Sequence, residues 1–178
     1  MSGGGATSGS RRQSPAEATA ELTLEEAFNG TSRIVEVEGK RLEVTIPKGV
    51  TDGSRIRIGG RGGAGRDLIV ITRLLPHATF TRRGTDLERE LPISLREALL
   101  GGEVKVATLK GRVLLTVPQG TQNGRTFRLT GQGMPRLNGG TSGDLYVRTR
   151  VVLPANLSGE AKEEARRFLD LVDQADPR

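Results

Sequence analysis

RLEVTIPKGVTDGSRIRIGGRG (residues 41–62) and RVLLTVPQGTQNGRTFRLTGQG (residues 112–133) are two copies of one phrase, 71 residues apart. The offset holds upstream, where LTLEEAFNG (22–30) returns as ISLREALLG (93–101). Downstream the second copy carries a six-residue insertion, after which GRDLIVITR (65–73) returns as GDLYVRTR (143–150), aligned on Asp67 and Asp144. Two copies of one supersecondary plan specify two related domains in tandem, since a solenoid would need three or more units.

Each copy reads as strands. Leu42, Val44 and Ile46 alternate with Arg41, Glu43 and Thr45, a period of two that gathers apolar side chains on one face. Val113, Leu115 and Val117 repeat the pattern. Pro47–Gly49 and Pro118–Gly120 stop these strands. Asp52-Gly53 and Asn123-Gly124 then supply turn chemistry before Ile56/Ile58 and Phe127/Leu129. Long final strands are predicted at Asp67–Leu75 and Asp144–Leu153.

A two-turn helix is predicted at the start of each copy. Thr23-Leu24-Glu25-Glu26 and Ser94-Leu95-Arg96-Glu97 carry the capping-box pattern, and Gly30 and Gly101 stand where a left-handed cap is wanted. Near the end of the chain, Ser158 is placed to cap a helix with Ala161, Ala165, Phe168, Leu169 and Val172 at helical spacing. An ion pair between Glu163 and Arg167 is expected on its wet side. By its spacing alone the stripe fits docking on its own domain as well as pairing with a second subunit.

Composition narrows the chemistry. Apolar residues make up 34% and aromatics are scarce, while 25 glycines and 8 prolines favour turns over long helices. With no cysteine, disulfides, thiolate metal sites and cysteine nucleophiles are excluded, and one histidine cannot build a zinc site. His77 has no neighbouring nucleophile in sequence, so it reads as a surface or hinge residue and not as a general base. The glycine cluster GGRGGAGRD (59–67) lacks the Gly-Lys-Ser/Thr ending of a phosphate loop and lies between strands, as a hairpin loop would. No catalytic residue, cofactor or metal ligand is assigned.

No apolar run is long enough to cross a bilayer, and the first fifteen residues lack the apolar core of a signal peptide. A soluble, cytoplasmic protein is expected. The net charge of +6 admits a second class of function, sequence-nonspecific DNA binding of the nucleoid type through Arg55, Arg57, Arg61 and Arg66. Against it, basic and acidic residues alternate along the chain, as on a solvated strand face.

The phrases LTLEEAFNGTSR, PHATFTRRGTDL, SLREALLGGEVKVATLKGRV, VPQGTQNGRTFRLTGQGMPRL and GDLYVRTRVVLP, taken with residues 41–62, resemble the two C-terminal domains of DnaJ/CbpA-type J-domain co-chaperones. The resemblance covers roughly residues 18–173. These 178 residues contain neither the His-Pro-Asp tripeptide of a J-domain nor Cys-x-x-Cys repeats, so they resemble the zinc-free class with its J-domain absent. The resemblance implies an all-β fold of two tandem β-sandwich-like domains, each with a short helix, plus a C-terminal helix. The implied division is a flexible Gly/Ser-rich tail over 1–17, a peptide-binding domain over 18–83, a second domain over 84–155, and a dimerisation helix and tail over 156–178.

It also implies a non-enzymatic function in protein folding and the stress response: binding of unfolded polypeptide, in partnership with a DnaK-type chaperone, by a homodimer. The groove-lining positions match Ala18, Ala20, Val35, Val37 and Phe80, with Arg33 at the rim. The dimerisation positions match Ala165, Phe168, Leu169 and Val172. Val35 and Val37 share one strand face opposite Ile34 and Glu36, which equally suits plain core residues.

Overall fold

In the computed structural model, residues 14–172 are described, and the predicted tail over 1–17 lies mostly outside them. The first copy of the repeat runs β1 (Ala16–Leu22), α1 (Leu24–Asn29), β2 (Thr31–Val37), β3 (Lys40–Ile46), β4 (Arg55–Ile58) and β5 (Leu68–Leu74). A short β6 (Thr81–Arg83) follows. The second copy runs β7 (Asp86–Ser94), α2 (Leu95–Leu100), β8 (Gly102–Thr108), β9 (Gly111–Val117), β10 (Thr126–Leu129) and β11 (Leu145–Val152), and α3 (Gly159–Leu171) ends the order. The fold is mainly β, as expected.

The sheets carry the duplication. One three-stranded sheet has the order β1-β5-β4, with β1 parallel and β4 antiparallel to β5. Its counterpart has the order β10-β11-β7-β6, the same plan with β6 added at one edge. Each copy also contributes a two-stranded hairpin, β2-β3 and β8-β9. Alternation is obeyed throughout: Val44 and Ile46 are buried while Arg41, Glu43 and Thr45 are exposed, and Leu115 and Val117 are buried likewise.

Both helices begin as the sequence dictates. The Thr23 hydroxyl accepts from the Glu26 N–H while the Glu26 carboxylate accepts from the Thr23 N–H, and Ser94 and Glu97 do the same. The glycines that follow differ in detail from expectation. Gly30 (φ 79°, ψ 158°) and Gly101 (φ 77°, ψ −178°) have positive φ, yet their ψ lies far from that of the left-handed helix. Close approach also demands glycine there, since a Cβ on Gly101 would stand 2.8 Å from the Val117 carbonyl oxygen.

Strands β1 and β7 were not foreseen. β1 starts at Ala16, inside the segment expected to be tail, and its inward row is Ala16, Ala18, Ala20 and Leu22, mostly too small to announce a strand. β7 hides because Arg89 stands on its inward row and Pro92 on its outer one.

The chain forms two compact units. Of the described residues, the first comprises 14–89, 107–112 and 126–147, and the second 90–106, 113–125 and 148–172. This grouping differs from a cut at residue 83. The insertion of the second copy explains part of the difference, because the Met134 side chain is fully buried and the 135–137 backbone packs on Gly49, where a Cβ would meet the Leu137 nitrogen at 2.6 Å. In the second unit α3 is capped by the Ser158 hydroxyl, which accepts from the Ala161 N–H at 3.1 Å. Its ion pairs are Glu163–Arg166 and Glu164–Arg167, at i,i+3 in place of the Glu163–Arg167 pair expected at i,i+4.

Candidate functional site

Among the described residues, two strands of the first unit, β1 and β2, each end their sheet. β1 pairs with β5 on one side, from Ala16 opposite Leu68 to Leu22 opposite Leu74, and ends its sheet on the other. The Ala16 N–H donates to the Asp67 carbonyl and the Leu22 carbonyl accepts from the Leu75 N–H, so the even-numbered residues bond inward to β5. In a parallel ladder the intervening residues, Glu17, Thr19 and Glu21, then direct their backbone N–H and C=O groups to the free edge. β2 pairs with β3, from Thr31 opposite Ile46 to Val37 opposite Lys40, and its other edge ends the hairpin. β1 and β2, joined by α1, pack near each other while belonging to separate sheets.

The sequence-matched residues lie around these edges, most of them deep. Ala20, Val35, Val37 and Phe80 are buried, at 3, 5, 6 and 9% exposure, and Ala18 is half-buried. The side chains of Val35 and Val37 therefore belong to the interior of the first unit. What the edges present outward is backbone, part of Ala18, and the Arg33 side chain. Sequence reasoning assigned no role to Ile34, which is 64% exposed on the outer row of β2 between Ser32 and Glu36. An isoleucine on the polar row of an alternating strand was the signal.

α1 fastens both ends of this neighbourhood. The Arg33 Nη2 donates to the Glu26 carboxylate at 2.7 Å, while its Nε is buried without a hydrogen-bond partner. The Glu26 carboxyl is held below its usual range, first by the Thr23 backbone N–H and then by Arg33. Next to it, Glu25 receives His77 Nε2 at 2.9 Å. His77 in turn seats Phe80: its Nδ1 lies 3.0 Å from the backbone nitrogens of both Thr79 and Phe80, and the two rings stand 5.2 Å apart. The Arg89 guanidinium sits over the Phe80 ring at 5.4 Å and donates to the Ala107 carbonyl. Burial lowers the pKa of Arg89.

In the second unit, Ala165, Phe168, Leu169 and Val172 lie on α3 or at its end, and α3 has no buried residue. Phe168 and Leu169 are 46 and 58% exposed. Among the described residues no cluster of His, Asp or Glu is arranged to hold a metal ion, and no helix is long and apolar enough to cross a membrane.

A three-stranded sheet and a helix-linked hairpin, present twice, define a class of mainly-β tandem-repeat proteins. The chain belongs to the DnaJ C-terminal domain family, whose model, "DnaJ C terminal domain", matches residues 16–154. It is 46% identical over 159 residues to "Chaperone protein DnaJ 2" of Thermus thermophilus, covering 88% of this chain and 55% of that protein. It is 41% identical over 170 residues to "Chaperone protein DnaJ" of Deinococcus proteolyticus, covering 95% of this chain and 54% of that protein. A "Chaperone protein DnaJ" of Burkholderia mallei is 44% identical over 147 residues, 79% of this chain and 39% of that protein. The chain thus spans about half the length, or less, of the curated relatives it matches.

Proposed function

We propose that this chain is the client-holding part of a cytoplasmic J-domain co-chaperone: it binds extended, non-native polypeptide at the β1 and β2 edges and hands it to a DnaK-type partner. It performs no bond chemistry of its own, and it works as a homodimer joined through α3. The observation that carries this reading is the pair of open strand edges packed near each other in the first unit. A polypeptide added as a strand gains main-chain hydrogen bonds whatever its sequence, as a holder of many clients requires. Ala18 and Ala20 leave only shallow relief for side chains, so single-site affinity is low and two sites on a dimer raise it by avidity.

The alternative of DNA binding is less well supported. Arg55, Arg57 and Arg66 are each paired with a carboxylate, Glu17, Asp67 and Glu38 respectively, which reduces the charge free to meet phosphates.

Thr19→Pro tests the edge directly. Proline at 19 deletes an outward N–H and crowds the edge, while the β1–β5 ladder, which uses residues 18 and 20 on either side, keeps its bonds. Binding of a fluorescent unfolded polypeptide is expected to weaken about tenfold with the thermal midpoint nearly unchanged. A folded Thr19→Pro variant that binds as tightly as the parent would sink the edge reading.

A further inference from the structure

His77 is the only histidine in the chain, and the contacts around it select one tautomer of its neutral ring. Its side chain is 23% exposed. Backbone amides only donate, so an Nδ1 placed 3.0 Å from the Thr79 and Phe80 nitrogens accepts from both and carries no proton. The single proton is on Nε2 and is donated to Glu25. The ring thus ties the 77–80 turn to α1 and stands against the Phe80 ring, tilted 41° to it at 5.2 Å.

We infer that His77 is the positioning residue for Phe80 and that only its neutral ring does this, so client affinity falls in mild acid. The inference rests on the client-holding proposal above and on Phe80 being one of the groove positions that the family resemblance implies, its buried ring supporting the floor of that site. A second proton on this ring goes to Nδ1. There an N–H would face two N–H groups, losing the exposed hydrogen bond from Thr79 and the part-buried one from Phe80. The compensating gain is a charged pair with Glu25, whose side chain is 51% exposed, and pairs in such surroundings contribute little. The loss outweighs the gain, and the turn opens.

The charged groups facing His77 are the Glu25 carboxylate from α1 and, on the Phe80 ring, the Arg89 guanidinium from β7. Glu25 is held below its ordinary 4.5, first by its own backbone N–H and then by Thr23 and His77. A depressed carboxyl contributes stability above its unfolded value and loses it only as pH falls through the folded one. Glu25 therefore stays ionised across the range, between about pH 5 and 8, in which imidazoles change charge.

The test compares binding of a fluorescent, permanently unfolded polypeptide to the full chain at about pH 7.5 and about pH 5.5. Wild type is expected to lose affinity on the order of tenfold in acid. His77→Asn should bind at both pH values as wild type does at the higher one, because an asparagine Oδ1 accepts from the same amides and does not titrate. His77→Ala should be weak at both. An acid response shared by His77→Asn, or tight neutral binding by His77→Ala, overturns the inference. If Phe80→Ala binds like wild type, the site assignment fails instead. The clip is then judged by the Thr79 and Phe80 amide resonances, which must shift with the one imidazole and stand still in His77→Asn.

Discussion

At the scale of single residues the duplication is most exact in two aspartates. Asp67 accepts from the Gly60 N–H at 3.1 Å and from Arg57, closing the turn after β4. Its counterpart Asp144 accepts from the Gly131 N–H at 2.8 Å and from Arg128 at 2.6 Å, closing the turn after β10. The Asp144 backbone N–H also donates to the Asp86 carboxylate at 2.8 Å. The Gly131 amide, then Arg128, hold the Asp144 carboxyl below its ordinary 3.8. Because the folded value lies under the unfolded one, this carboxylate stabilises the fold above pH 3.8 and loses that effect as pH falls through the folded value. Asp144→Asn should therefore melt below wild type at neutral pH, and the gap should close under strong acid. Thermal midpoints recorded across that range check it, and a gap that stays constant would remove the charge from the account. The alignment on Asp67 and Asp144 was legible from sequence, whereas their partners were not, because Arg57 read there as a candidate phosphate contact and nothing in the local pattern set Arg128 apart.

At the scale of elements, legibility followed side-chain size and spacing. Strands β3, β9 and β11 announce themselves through Val, Ile and Leu at alternate positions, β5 through the continuous apolar run Leu68–Ile71, and both short helices through their caps. β1 escaped because burial next to β5 is achieved with alanines, and β7 because a buried-row arginine breaks the pattern. The candidate site suffered for the same reason. A strand face reads identically whether it lines a groove or a core, and the burial of Val35 and Val37 is decided by packing that no local pattern encodes. The caps give an element-scale prediction. Six-residue helices have almost no stability alone, so the reciprocal bonds of Ser94 and Glu97 hold the start of α2 against the strand it follows. Ser94→Ala should cost about 1 kcal/mol in denaturant unfolding. Ser94→Thr should restore most of it, since the threonine at position 23 makes the same box in α1. An alanine variant as stable as the parent would show that packing, not capping, sets where α2 begins.

At the scale of the whole molecule, α3 stands out because it carries an apolar stripe and no buried residue. A thirteen-residue helix with no buried residue keeps Phe168, Leu169 and Val172 exposed at one face, with Ala161 and Ala165 half-buried on the same stripe. Single exposed apolar residues are ordinary, yet several at helical spacing form a face that gains by removal from water. Its ion pairs, Glu163–Arg166 and Glu164–Arg167, occupy the remaining surface and leave that stripe uncharged. A second copy of the chain offers an identical face, and a two-fold pairing of like surfaces closes on itself without leaving apolar residue exposed for further growth. The expected outcome is a sedimentation velocity boundary at the dimer mass for wild type and at the monomer mass for Phe168→Asp, because a carboxylate cannot be buried there without a partner. Circular dichroism on both proteins guards against unfolding as the cause. If Phe168→Asp remains folded and dimeric, α3 is not the interface. If wild type is monomeric at micromolar concentration, the avidity expected of paired client sites has no structural basis, and binding to an unfolded polypeptide should then follow a single-site isotherm.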